Sequence, residues 1–267
     1  MNTSNASMPI HIANPLPSQL QKLRNLWKEA FGDNDAFLDI FERTAFHPKR
    51  CRCVTIDNEV VAALYWFDCE FENQPIAYIY AVATASAHQG KGLCHALMQD
   101  THAHLLASGY AGAILVPGSK ALFRFYEKMG YQTATYIEEI TYNDSMLHTF
   151  EPKSITLRSI DKTEYAALRR RYLPEHAVIQ EKENLEFLET QAEFYTGDDF
   201  LLACHKHEDM LQGIELLGNT AVIPAILLSL DYKEGHFRVP GNETPFGMYY
   251  NFKENTSTPS YFGFAFD

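Results

Sequence analysis

The chain has 267 residues, enough to bury a substantial core as one large domain or two small ones, and at 46% hydrophobic and 13% aromatic it is no disordered chain. A net charge of −12 argues against nucleic acid or an anionic membrane surface as partner, and no apolar run approaches the ~20 residues of a membrane span. Five scattered cysteines, and a polar start from Met1 to Met8 with no charged stretch leading into an apolar one, predict reduced thiols in a cytoplasmic protein. Cys51 and Cys53 lack a second ligand pair nearby, and His102 and His104, two apart on a helix, point to different faces, so no metal site is expected.

In chain order, a strand at 9–13 is followed by a helix over 17–31, with Leu20, Leu23, Leu26, Trp27 and Ala30 at helical intervals and Gly32 to end it. Asp33, Asn34 and Asp35 offer capping oxygens to a second helix over 36–45, which Pro48 stops. Strands at 51–56 and 60–69 flank a turn at Asp57-Asn58, and a turn near Glu72-Asn73-Gln74 leads into an apolar run over 76–83, a buried strand. Residues 89–94 break that strand and open a helix in which Cys94, Leu97, Met98, Thr101 and Leu105 share a face. Gly90 and Gly92 permit positive φ, so N–H groups can converge on an anion at the positive end of the helix; any tight strand-to-helix turn favours glycines too. A strand at 113–116, a helix over 120–129 ended by Gly130 and a strand over 131–142 complete the first half.

Gln89-Gly90-Lys91-Gly92-Leu93-Cys94 resembles the Gln/Arg-x-x-Gly-x-Gly/Ala loop with which the GNAT superfamily of acyl-CoA-dependent N-acyltransferases binds the pyrophosphate of coenzyme A. The segment Ser119-Lys120-Ala121-Leu122-Phe123-Arg124-Phe125-Tyr126-Glu127-Lys128-Met129-Gly130-Tyr131 resembles that family's Asn-x-x-Ala-x-x-x-Tyr-Glu-Lys-x-Gly-Phe segment, in the family's order and spacing. Cys94 stands where Gly or Ala is usual, and Ser119 where Asn is common. The resemblance implies a GNAT fold of α/β class with a mixed sheet, and acetyl-CoA as cosubstrate. It further implies that Gln89, Gly90, Lys91, Gly92, Leu93 and Cys94 cradle the pyrophosphate, with Lys91 adding positive charge. Main-chain groups around Val82 and Thr84 would pair with the pantetheine arm and polarise the thioester carbonyl. Ser119 would stand at a cofactor contact, and Tyr126 would protonate the departing thiolate. By position alone Tyr126 reads as a core aromatic, because Leu122, Phe125, Tyr126 and Met129 share one helical face.

Past Pro152 the pattern restarts, with a strand at 155–158, helices over 163–172 and 184–195, and strands at 200–206 and 210–217 about a turn at Glu208-Asp209. A helix over 219–230 carrying Pro224, a strand at 237–239 and a buried aromatic ending at 261–267 follow. The halves overlay at a shift of about 150 residues, placing Phe37-Leu38 on Phe187-Leu188 and Asp57-Asn58 near Glu208-Asp209. This predicts a complete GNAT domain over 1–150 and a smaller, degenerate GNAT-like domain over 151–267, as in tandem-GNAT proteins. In the aminoglycoside acetyltransferases of that type the terminal carboxylate serves as base, a place Asp267 would take; Glu70, Glu72, Glu138 and Glu139 are other carboxylates near the relevant strands. The implied activity is transfer of an acetyl group from acetyl-CoA to a primary amine of a small molecule or peptide. A non-catalytic acyl-CoA-binding sensor stays open as the alternative.

Overall fold

The computed structural model describes residues 10–149, 154–253 and 257–266. The tail expected at 1–8 and the candidate base Asp267 lie outside them. The first half runs β1 (His11–Ala13), α1 (Leu20–Phe31), α2 (Asp35–Thr44), β2 (Cys51–Ile56), β3 (Glu59–Phe71), β4 (Gln74–Thr84) and α3 (Leu93–Ala107). It continues through β5 (Gly112–Leu115), α4 (Lys120–Glu127), β6 (Gln132–Thr133), β7 (Tyr136–Tyr142) and the one-turn α5 (Asp144–Leu147). The caps act as the sequence predicts: Gly32 ends α1 at φ 78, and the Asn34 side chain accepts the Phe37 N–H to start α2.

The second half runs β8 (Arg158–Ile160), α6 (Lys162–Tyr172), α7 (Glu183–Leu188), β9 (Glu193–Thr196), β10 (Phe200–Lys206), β11 (Met210–Gly218), α8 (Ile223–Ser229), β12 (Glu234–Pro240), β13 (Thr244–Pro245) and β14 (Met248–Asn251). Two expectations fail here: the strand predicted at 155–158 lies instead at Arg158–Ile160, and a predicted helix is cut short. The helix predicted over 184–195 stops at Leu188, and its second part is β9. Leu185, Leu188 and Ala192 keep helical spacing, but Phe194, Tyr195 and Thr196 are strand-favouring residues and pair with Ala203, Leu202 and Leu201 of β10. The overlay therefore moves by one hairpin: Glu208-Asp209 joins β10 to β11 as Glu72-Asn73 joins β3 to β4.

With that register the two halves show the same order of pairing. Along β1 to β5 the successive ladders are antiparallel, antiparallel, antiparallel and parallel, and β8 to β12 repeat the same series. Two mixed seven-stranded sheets result, ordered β1-β2-β3-β4-β5-β14-β6 and β13-β7-β12-β11-β10-β9-β8. The closing strands are exchanged. From the second half β14 pairs with β5, and from the first half β7 pairs with β12. Hydrogen bonding of each sheet thus crosses the division expected near residue 150.

The two segments cross at Thr135 and Gly247. Ala134 and Thr135 donate their N–H groups to Gly247 O at 3.0 and 3.1 Å, Phe246 N donates to Thr135 O at 2.9 Å, and Gly247 N donates to Thr135 Oγ1 at 2.9 Å. Thr135 is fully buried, so these bonds satisfy groups that water cannot reach. Aromatic and aliphatic residues of α1 and α2 cover one face of the first sheet, where Val178, Phe187, Phe246 and Phe262 of the second half join the same core. Leu93, Leu97, Met98 and Leu105 of α3 cover the other face, together with Tyr126 and Tyr131.

A Cβ at Gly247 would lie 2.5 Å from Thr135 Oγ1. Gly247→Ala is therefore expected to lower stability by about 1–3 kcal/mol in a denaturant melt. The added Thr135→Ala change should recover part of that loss, so that the two effects are less than additive. A second expectation concerns His102, bonded to the Tyr131 hydroxyl at 2.8 Å and pushed down to about 4 by burial. Its neutral form is the folded one, so the stability it contributes is complete above its unfolded value of about 6.5 and is lost as pH falls toward 4. Thermal melts across that window should show a decline that His102→Gln flattens.

Candidate active site

The site begins with a fault in β4. Tyr80 pairs with Tyr65 and Ala83 with Ala63, which leaves Ala81 and Val82 together opposite Leu64. Ala81 takes φ 49, a left-handed value that a non-glycine residue keeps only where its surroundings hold it, and the bulge turns the strand. On the other edge, the parallel ladder to β5 ends at Tyr78↔Ile114. Beyond that point the two strands part.

A cleft of about 660 Å³ occupies the parting. On the α3 face of the sheet its walls include Val82, Leu115, Leu122 and Tyr126; on the opposite face they include Trp27, Phe37, Tyr80, Phe187 and Phe266. One space therefore joins the two faces through the gap beside the bulge. Strand exchange brings Glu139 of β7, Arg238 of β12 and Phe246 to the same walls.

The glycine loop lies on the α3 face. Gly90 and Gly92 have φ 72 and 77, and a Cβ at either would meet nothing within 4 Å. The glycines are thus needed for backbone conformation, not for room. Gly92 caps α3 without a side-chain hydrogen bond, which leaves the first-turn N–H groups to an anion. Lys91 Nζ donates to Ala87 O at 2.8 Å, and Gln89 Nε2 donates to Thr84 O at 3.2 Å. The matching turn of the second copy is closed differently: the Asn219 side chain accepts the Ala221 N–H at 3.0 Å, and no glycine loop precedes α8.

Tyr126 is 7% exposed and packs edge-on against Tyr131 with ring centroids 5.8 Å apart. Burial pushes its hydroxyl well above the ordinary tyrosine value, with Cys94 nearby adding to the rise, so it carries its proton throughout the working pH range. Cys94, half-buried in the same region, is pushed up to about 11 by burial. Leu93 is buried beneath the loop in the core that holds Tyr126.

Of the two main-chain positions, Val82 lines the cleft, whereas Thr84 stays in register with Ala62 and its carbonyl accepts the Gln89 amide. Ser119 caps α4 with no side-chain capping bond and is exposed. Phe266, the residue before Asp267, forms part of the cleft wall, and its N–H donates to the Tyr78 hydroxyl at 3.3 Å. Among the other carboxylates Glu139 lines the cleft, near His236 Nε2 at 3.3 Å; Glu70 and Glu72 are drawn instead to the 176–179 segment, Glu70 through its main chain and Glu72 through His176.

Sequence reasoning missed Trp27, Asp33, Phe187 and Arg238, all of which line the cleft. Trp27 was legible as a core residue; its indole N–H donates to Asp33 at 2.8 Å, a link between a helix and the loop after it that spacing alone does not show. Arg238 reaches the site only because β12 takes β7 as its neighbour, and no local pattern carries that information.

The family of acetyltransferase (GNAT) domains matches residues 12–134. Among solved structures the chain is similar to a GCN5-related N-acetyltransferase from Kribbella flavida, at 16% identity and a TM-score of 0.71 over 91% of this chain and 71% of that one. It is also similar to a probable N-acyltransferase of unknown function from Enterococcus faecalis, at 16% identity and 0.70 over 91% and 73%. A third is a GCN5-related N-acetyltransferase from Anabaena variabilis, at 13% identity and 0.71 over 90% and 72%. No curated protein sequence matches the chain. These structures share the fold. The loop, the bulge and the domain match agree: residues 12–134 match the GNAT acetyltransferase domain, a family that uses acetyl-CoA.

Proposed function

We propose that the chain is an N-acetyltransferase that moves the acetyl group of acetyl-CoA to a primary amine of a small molecule or peptide by direct attack. The observation that supports this most is the single cleft running through the gap between β4 and β5, with the anion-ready loop and Tyr126 on one face and a separate aromatic chamber on the other. A thioester threaded from the loop side presents its carbonyl at the bulge, where main-chain groups at Val82 are placed to polarise it. The neutral amine attacks from the chamber. As the tetrahedral intermediate collapses, the C–S bond breaks and the Tyr126 hydroxyl gives its proton to the departing sulfur.

The raised value of Tyr126 does not oppose this step. A thiolate released in the same apolar surroundings is raised as well, as Cys94 shows for a thiol nearby. The proton that the amine loses passes to a carboxylate, for which Glu139 on the cleft wall and Asp267, next in sequence after Phe266, are the two candidates. In this reading the first half, 1–150, holds coenzyme A, and the second half, 151–267, shapes the acceptor side.

Acetyl-CoA should raise the melting temperature of the chain, and thiol release should appear on addition of an amine. Tyr126→Phe is expected to cut kcat by about 10²-fold or more while leaving the Kd for acetyl-CoA nearly unchanged. Acetyl-CoA binding with no thiol release over a broad amine panel would instead identify a sensor. Gly92→Ala forces a side chain to positive φ at a cost of about 1–2 kcal/mol. Weaker acetyl-CoA binding by about tenfold, read by calorimetry with the fold intact, is the expected result.

A further inference from the structure

The acceptor side of the cleft has a definite chemistry. Trp27, Phe37, Tyr80, Phe187 and Phe266 form a continuous set of rings, with centroids 5.7 Å apart for Trp27 and Tyr80, 5.8 Å for Phe37 and Phe187, and 5.1 Å for Phe187 and Phe266. Trp27 and Phe187 are buried, and Phe37, Tyr80 and Phe266 are half-buried, so the set is held from behind and offers ring faces and edges to the space. Each ring is fixed by its neighbours before anything binds, which removes most of the ordering cost of contact with a ligand.

The charges on the same walls are few and opposed. Asp33 already accepts the Trp27 indole N–H at 2.8 Å, Glu139 faces His236, and Arg238 adds a cation. A polyamine or aminoglycoside places several ammonium groups in its site and requires several carboxylates to replace their hydration. Among the described residues this cleft provides two, with an arginine beside them. A single ammonium approaching the bulge meets ring faces that favour a cation, and it must shed its charge before attack in any case.

Resting on the acetyltransferase reading, we propose that the acceptor is a monoamine carried on a large apolar body, aromatic rings foremost, and that polycations are poor acceptors. The rings hold the body and set its depth, so that the amine arrives at Val82 while the body fills the chamber. Phe37, on α2 and away from the bulge, contributes to recognition of the body and not to the chemistry.

The test uses the full chain with acetyl-CoA, following thiol release with phenethylamine, tryptamine, n-butylamine, spermidine and kanamycin. Phenethylamine and tryptamine should exceed butylamine and both polycations by about 10- to 100-fold in kcat/KM, the scale set by burying a ring in an apolar pocket. Phe37→Ala should raise KM for the arylalkylamines far more than for butylamine, and an unchanged thermal shift with acetyl-CoA shows that the variant is folded. Spermidine or kanamycin as the better acceptor would overturn the inference while upholding the acetyltransferase. An equal loss for all amines in Phe37→Ala would overturn the role of the rings. Absence of turnover with every amine, despite a thermal shift with acetyl-CoA, would overturn both.

Discussion

The crossing of the chain at Thr135 and Gly247 is the constraint on which the rest of the molecule depends. Four hydrogen bonds, three between main-chain groups and one to the Thr135 hydroxyl, fix the two segments where they pass. Each then enters the sheet built by the other half, β7 beside β12 and β14 beside β5. A strand edge left bare at β5 or β12 would be a liability, and each copy covers the other's. Neither sheet is complete until both have formed, so the halves are one cooperative unit. The cleft depends on the same exchange, because Glu139 and Arg238 sit directly opposite each other in the β7–β12 ladder.

A second device places the last wall. Arg169 and Glu215, 2% and 0% exposed, form a bidentate pair at 2.7 and 2.9 Å, and the hydroxyls of Tyr165 and Tyr261 donate to the same carboxylate. Desolvating such a pair costs much of what its attraction returns, so its value lies less in net stability than in specificity. Tyr261 belongs to the final segment, and a Cβ at Gly263 would stand 1.8 Å from Glu215 Oε1, so only this register of the segment fits. Gln180 holds the next residue from both sides, donating to Phe264 O and accepting from Phe264 N, each at 2.9 Å. The chain is thereby delivered to the Tyr78 hydroxyl with Phe266 facing the cleft.

What the sequence revealed and what it hid follow from the range of the interactions concerned. The loop at 89–94 and the helix after it are local: two glycines at positive φ, an apolar face and the preceding strand lie within a few turns of chain, and all were legible. Tyr126 was legible through its segment, although its packing is what a core aromatic would show. The boundary between α7 and β9 was not legible, because Leu185, Leu188 and Ala192 happen to keep a helical interval across it, and only pairing with β10 decides the matter. The bulge at Ala81 was not legible, since alanine gives no sign of a left-handed φ. Strand exchange had no local signal, and with it Arg238 was out of reach.

The two copies diverge at the turn after their fourth strand, and the difference is one of capping. In the second copy the Asn219 side chain satisfies an amide at the start of the helical turn. In the first copy no side chain does so, and the amides at the start of α3 stay free where the macrodipole favours negative charge. A side-chain cap of this kind is worth about 1 kcal/mol to the turn it closes, and the start of α3 has none. The first half thus leaves these amides open to an anion, on the α3 face of the sheet. The opposite face of β4 is the one on which residues of the second half pack, so that half supplies part of the far wall of the cleft.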